Sequence, residues 1–428
     1  MQYHLAYGHG QMPVELPEKN VVKVLGIHTG QPLADPMDEV WEKLENPNTA
    51  EPLAVIAQGK KTACIVVCDI TRPVPNKIIL PPILQTLEDA GIQPEDILIL
   101  IATGLHRAST RDEKIEMLGE QIAKSYRVKD HDAKNLRKHE YLGLSSGGLP
   151  IWIDRRYLEA DVKILTGLIE PHFMAGFSGG RKSICPGIAA AETICTWHSP
   201  KFLEHPNARF GSMTDNPVHK EQMEIARKAG CDFIVNAVID GGRNILAVVG
   251  GDMNEAHLEG VNIARKYVVD TVAEPADIVV TSGAGYPLDK TWYQTVKGIV
   301  GAVDILKQGG TIIIASACEE GVGSREFQEI AEHFSSIGAS IDDFMEAIIS
   351  EKYFSVDQWQ VEELAKALRK GKVKVISQGV PPEVLRRYFV TPCTCVEEAL
   401  ADAMQEYGSE ATIAVLPEGP YVLAETAK

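Results

Sequence analysis

Residues able to do chemistry gather in a few short stretches of this chain. EPHFMAGFSGGRKS (170–183) carries His172, then Ser178, Gly179 and Gly180, then the pair Arg181 and Lys182. Glycines let backbone N–H groups approach an anion, and adjacent cations add charge, so the stretch reads as an anion-binding turn. The order of its residues is neither GxxxxGK[ST] nor GxGxxG, so it is neither a P-loop nor a dinucleotide fingerprint. A plain anion turn leaves His172 unexplained, and solvated surface charge is the bland alternative for Arg181 and Lys182. Two further histidines stand in comparable places, His106 in ATGLHRAST and His198 in ETICTWHSP. Histidine serves as a general base near neutral pH or as a metal ligand, and three such residues offer both duties. In DITRPVPNK, the Arg72 fork suits a planar carboxylate, while a loop salt bridge to Asp69 is the structural alternative. GAGYPLDKTWYQTVKG brings Tyr293, Gln294 and Lys297, with Gln294 and Lys297 on one helical face at i and i+3. Trp359, in VDQWQ, is by its type a core residue.

The elements around these stretches alternate between β-branched apolar runs and segments of helical period. That pattern predicts an α/β fold: two domains with largely parallel sheets flanked by helices and the active site in the interdomain cleft. TACIVVCDI, DILILIATG, VKILTGLIE, DFIVNAVID and ILAVVGG read as strands, and NKIILPPILQTLEDAG as a helix. The first three strands end in the polar stretches named above, and ligands of open α/β sheets bind beyond the carboxyl ends of strands. After the helix DMNEAHLEGVNIARKYVVD the break TVAEPAD marks a boundary, so one domain is expected over 1–270 and a second over 274–400. In the second, TWYQTVKGIVGAVDILKQ reads as a helix and GGTIIIASAC and KVKVISQG as strands; the final strand ATIAVLPEG, within 410–428, is expected to rejoin the first domain.

Composition narrows the class. The chain has 428 residues, 45% of them hydrophobic and 24% charged, which fits a globular protein of two domains. A formal charge of −17 and scattered basic residues argue against a nucleic-acid partner. No apolar run is long enough to cross a bilayer, and MQYHLAYGHGQMPVELPEKN lacks the layout of a signal peptide, so a cytoplasmic location without membrane contact is expected. Eight cysteines without a CxxC pair predict neither a disulfide scaffold nor a structural zinc site.

Taken together and in this order, DITRPVPNK, ATGLHRAST, EPHFMAGFSGGRKSICPGIA, ETICTWHSP, YPLDKTWYQTVKG and VDQWQ resemble the nickel-dependent lactate racemase family over essentially the whole chain. The resemblance implies a nickel-pincer nucleotide, a pyridinium mononucleotide with two sulfur-containing arms, attached covalently at Lys182 and made by separate cofactor-biosynthesis enzymes. It implies His198 as the nickel ligand, with His106 and His172 as acid/base groups on the substrate hydroxyl, one for each enantiomer. Ser178, Gly179, Gly180, Arg181 and Asp69 are then expected beside the cofactor, with Asp69 alternatively orienting Arg72. Arg72 is expected to hold the substrate carboxylate, with Tyr293, Gln294, Lys297 and Trp359 contacting a small 2-hydroxy acid from the second domain. Ala108 departs from the family, where proline is frequent. Malate or another 2-hydroxy acid is the nearest alternative substrate; Arg107 or Arg181 would meet a second carboxylate. A non-catalytic nucleotide- or metal-binding homologue is the other alternative. A nicotinamide dehydrogenase lacks its required GxGxxG turn.

Overall fold

Ala63–Cys68 opens the sheet that carries most of the named stretches, and its first five residues are all buried. Burial on both faces requires cover on both sides, the condition of a parallel sheet wrapped by helices. Numbered in chain order, the strands of this sheet are β1 (Ala63–Cys68), β2 (Ile97–Ala102), β3 (Arg127–Asp130), β4 (Val162–Leu168), β5 (Phe233–Ile239) and β6 (Ile245–Gly251), in spatial order β6-β5-β4-β1-β2-β3. All neighbours are parallel except β6, which returns antiparallel along β5. The helix Asn76–Asp89 covers one face, packing Ile79, Leu80, Ile83 and Leu87 in one cluster with Ile65, Val67, Ile99 and Ile101. Full burial of each such side chain is worth about 1.5–3 kcal/mol. From β1 the chain proceeds outward to β2 and β3, then comes back to place β4 on the other flank of β1. The loops after β1 and β4 therefore diverge, which makes their carboxyl ends the switch point where open α/β sheets bind ligands.

The computed structural model describes residues 1–427 and divides into a central unit, Thr29–Tyr267, and a split unit formed by Met1–His28 together with the chain from Val268 onward. The split unit has its own six-stranded parallel sheet, in the order Thr391–Pro392, Lys372–Ile376, Leu306–Ala315, Ala276–Ser282, Ile413–Leu416 and Val21–Val24. Two boundaries expected above are thereby corrected. The first 28 residues join the split unit rather than the domain that follows them. The strand Ile413–Leu416, buried at all four positions, lies between Ala276–Ser282 and Val21–Val24 instead of returning to the central sheet. A fully apolar strand needs neighbours on both edges, and only the fold reveals which sheet supplies them. The helix expected over TWYQTVKGIVGAVDILKQ ends at Gly301, and its last residues begin the strand Leu306–Ala315. No described helix is long and apolar enough to cross a membrane.

Candidate active site

At the end of β1 the chain turns polar, and Asp69 is buried there. One carboxylate oxygen accepts the Thr71 backbone N–H and hydroxyl at 3.2 and 2.5 Å; the other lies 2.6 Å from Nδ1 of His106, which follows β2. Burial pushes the Asp69 carboxyl up, but the charge and hydrogen bond of His106, the Thr71 hydroxyl and the charge of Arg72 outweigh it and hold it at about 2. Asp69 therefore remains a carboxylate and must accept from Nδ1–H, which puts the lone pair of neutral His106 on Nε2. The His106 side chain is 42% exposed, so this lone pair belongs to an accessible ring. Asp69 thus orients His106; Arg72 forms an ion pair with Glu170, Nη1 to Oε1 at 2.8 Å. Glu170 follows β4, is buried, and neither carboxylate oxygen has a hydrogen bond of good geometry.

His172 lies two residues beyond Glu170 in the short antiparallel pair Pro171–His172 with Gly176–Phe177. Its Nδ1 accepts the backbone N–H groups of Met174 and Ala175 at 3.3 and 3.1 Å. Lys182 sits in the single 3-10 turn Gly180–Ser183, and among the described residues its amine makes no hydrogen bond or ion pair. Burial, then the positive charge of Arg72, lower the Lys182 amine from 10.5 to about 8, against the opposing influence of Cys68, Glu170 and Asp69. An amine in that range is a usable nucleophile near neutrality. His198 caps the helix Ala191–Trp197, with Nδ1 2.9 Å from the Ile194 carbonyl. Nδ1–H donates to that carbonyl, so the lone pair sits on Nε2, the form that binds a metal. Burial first, and Lys182 second, push this imidazole down to about 3.

The glycine loop departs from the expected anion cradle. Gly180 N–H donates to Asn236 Oδ1 at 2.8 Å. A Cβ on Gly179 would come within 2.7 Å of that same oxygen, and one on Gly180 within 3.2 Å of the His257 ring. These glycines, at φ 83° and 49°, are required by the chain's own close packing. Ser178 is likewise engaged internally, its hydroxyl donating to the Leu168 carbonyl at 2.7 Å. Arg181 is 0% exposed, so the solvated-charge reading fails. Its guanidinium donates to the Ala175 and Phe177 carbonyls at 3.1 and 3.0 Å and contacts His257 Nε2 at 2.9 Å. Arg107 forms a two-point pair with Glu113 at 2.7 and 2.8 Å.

In the split unit, Thr291 caps the helix Trp292–Gly301, which carries Tyr293, Gln294 and Lys297. Gln294 is buried and its amide oxygen has no hydrogen-bond partner, the state of a group awaiting a donor. Trp359 is 2% exposed, and its indole N–H donates to the Tyr293 hydroxyl at 2.8 Å. Tyr293 also receives the Gln360 amide on its carbonyl at 2.6 Å, and burial pushes its phenol well up.

Glu170, Asn236, His257 and Asn216, whose amide donates to the Met174 carbonyl at 2.9 Å, support the site and were not singled out from sequence. Glu170 stands beside His172 in IEPHF and was open to the same reasoning. Asn236 and His257 arrive from β5 and from the helix Glu255–Val268, and no local pattern connects them to a loop more than fifty residues away. Among the described residues, no three His, Cys, Asp or Glu side chains gather as a metal site.

Comparison with known proteins gives the same direction. The family models described as lactate racemase N-terminal domain and lactate racemase C-terminal domain match residues 7–211 and 271–424. The lactate racemase of Thermoanaerobacterium thermosaccharolyticum is 35% identical over 423 residues, 98% of each chain. That of Lactiplantibacillus plantarum is 35% identical over 394 residues, 91% of each. The solved apoprotein of the Thermoanaerobacterium enzyme superposes with a TM-score of 0.91, covering 99% of this chain and 100% of that one. A Thermotoga maritima protein, 18% identical with a TM-score of 0.72 over 94% of this chain and 100% of its own, shares the fold.

Proposed function

The chain belongs to the lactate racemase family, whose matched members are isomerases, and on that premise we propose that it racemises lactate or a similarly small 2-hydroxy acid. The observation that carries the reading is the partnerless, low-pKa amine of Lys182 beside a histidine whose lone-pair nitrogen is Nε2. Lys182 would hold the nickel-pincer nucleotide covalently and His198 would ligate its nickel. When bound, that group supplies a hydride acceptor, so the α-carbon passes through the 2-keto acid level without its poorly acidic hydrogen being removed as a proton.

This chain's residues do the rest. Arg72, held by Glu170, would receive the substrate carboxylate, a charge-assisted contact that fixes the α-carbon. His106 Nε2 accepts the hydroxyl proton, and Asp69 stabilises the imidazolium that results. Arg107 and Arg181, the cations considered for a second carboxylate, are engaged with Glu113 and with the loop carbonyls, which favours a monocarboxylate over malate.

The test is production of the protein alongside the separate cofactor-making enzymes, followed by incubation with L-lactate and chiral chromatography. Approach to an equal mixture of enantiomers is expected. Retained optical purity, in protein whose mass shows the adduct on Lys182, would reject lactate; the same preparation then distinguishes other 2-hydroxy acids from a binding protein without turnover.

A further inference from the structure

The chain around Lys182 is fastened by side chains that arrive from elsewhere in the central unit. His257, on the helix Glu255–Val268, brings Nε2 to 2.7 Å from the Ser178 carbonyl. Gln222, on the helix Pro217–Ala229, donates from Nε2 to the Cys185 carbonyl at 2.8 Å. Between these fastenings lies the 3-10 turn Gly180–Ser183, whose N-cap, Gly179, has no side chain to offer it. The first N–H groups of a helical turn have no carbonyl partner within the turn. The Gly180 N–H finds its acceptor in Asn236 Oδ1, 56 positions along the chain.

Asn236 stands in β5, where every other residue from Phe233 to Val238 is apolar and all six are buried. A buried amide in such a strand is costly unless both of its ends are bonded. This one is used at both: Nδ2 donates to the Val235 carbonyl at 2.8 Å while Oδ1 accepts from Gly180. The reverse setting of the amide would put N–H against N–H and oxygen against oxygen, so its partners fix its direction. In the parallel register of β4 and β5, Asn236 stands opposite Gly167. A Cβ on Gly167 would lie 3.6 Å from the Gly179 Cα, and one on Gly179 would lie 2.7 Å from Asn236 Oδ1. The turn therefore rests directly against the sheet at Asn236, and Gly179 leaves the room for that contact.

We propose that Asn236 is the positioning residue of the cofactor anchor: by holding the Gly180 N–H it sets the turn that presents the Lys182 amine to its cofactor. The inference rests on the racemase reading, in which Lys182 carries the nickel nucleotide, and extends it to a residue of β5. Reacting groups displaced by an ångström can lose about 100-fold in rate, so a loosened turn should load poorly. Leucine, branched at the same carbon as asparagine, fills the strand but offers Gly180 no acceptor. Aspartic acid keeps one.

The first test is amide hydrogen exchange of the cofactor-free protein, read by mass spectrometry at single-residue resolution. In the wild type the Gly180 amide should exchange at least about 100-fold more slowly than in an unstructured peptide. Asn236→Leu should lose at least about tenfold of that protection and Asn236→Asp should keep it within about threefold. A wild-type Gly180 amide that exchanges freely overturns the proposal whatever the enzyme's activity. The second test is production alongside the cofactor-making enzymes, with intact mass giving the fraction that bears the Lys182 adduct. Asn236→Leu should load at least about tenfold less than wild type, and Asn236→Asp within about threefold of it. Asn20→Leu, which removes a buried amide bonded to the Ser409 and Ala411 carbonyls in the split unit, controls for lost stability and should load as wild type does. Full loading of Asn236→Leu, or a loss as deep in Asn236→Asp or in Asn20→Leu, overturns the proposal. Asn236→Ser, whose oxygen falls short of Gly180, takes the place of the leucine variant if that one does not fold, with the same expectations. Wild-type protein that gains no adduct defeats the racemase reading and this extension together; a loaded wild type beside an equally loaded Asn236→Leu defeats the extension alone.

Discussion

Lys182→Met separates the lysine's chemistry from its effect on the fold. The Lys182 amine is held at about 8 against an ordinary 10.5. At pH 7, about one amine in eleven is then neutral, 1/(1 + 10^1), against about one in 3,000 at 10.5, 1/(1 + 10^3.5), so about 300-fold more of the nucleophilic form is present. Covalent loading should therefore map to Lys182 alone and vanish in the methionine variant. The same shift makes the lysine a liability for the cofactor-free protein. A lowered folded-state pKa means that the unfolded chain holds the proton more tightly, so the penalty is present in full below about 8 and fades as pH rises through 10.5. At about 1.4 kcal/mol per unit, 2.5 units set a ceiling of about 3 kcal/mol, reduced by whatever water reaches the amine. Cofactor-free Lys182→Met should accordingly be more stable than wild type at pH 7, by about 1–3 kcal/mol in urea unfolding, with the advantage shrinking at pH 10.5. Intact mass and peptide mapping check the anchor. An adduct persisting in the variant, or a stability advantage that is absent at pH 7 or grows toward pH 10.5, would refute the reasoning.

Three other outcomes follow from the same geometry. Asp69→Asn should leave the fold intact but lower kcat of the loaded enzyme roughly 10²–10⁴-fold, because the imidazolium of His106 loses its carboxylate; wild-type turnover in the variant would remove Asp69 from the mechanism. Arg181→Leu takes the guanidinium from two buried carbonyls; Ala175 keeps the Phe177 N–H while Phe177 loses its side-chain donor, at about 1–3 kcal/mol, so the melting temperature should fall by a few degrees while the Lys182 adduct still forms. The buried pair His131 and His139 faces Nε2 to Nε2 at 2.8 Å, and burial pushes His131 down to about 3. The unfolded chain therefore binds the extra proton first, and stability should decline as pH falls below about 6.5 toward 3, at up to about 1.4 kcal/mol per pH unit; His131→Phe should flatten that slope, as measured by urea midpoints at pH 7.5 and 5.

Sequence alone determined the parts of this protein that depend on neighbours along the chain. Apolar runs mark most strands of both sheets, missing the short or polar Arg127–Asp130, Val21–Val24 and Thr391–Pro392; the order of six short stretches gives the family, and the positions of His106, His172 and Lys182 after strand ends mark the switch-point side of the central sheet. The tertiary structure decided what depends on residues distant in sequence. It assigned Ile413–Leu416 to the split sheet, because an apolar strand has no local sign of which edges it will join. It brought Asp69 against His106, 37 positions away, and Arg72 against Glu170, since such pairs are chosen by distance in space and not by adjacency in a loop. It turned Arg181 and the glycines inward, onto carbonyls and onto Asn236 and His257, where sequence could read only charge and smallness. Hydrogen-bond direction, with Asp69 on His106 Nδ1 and two backbone N–H groups on His172 Nδ1, exists only once the backbone has closed around each ring.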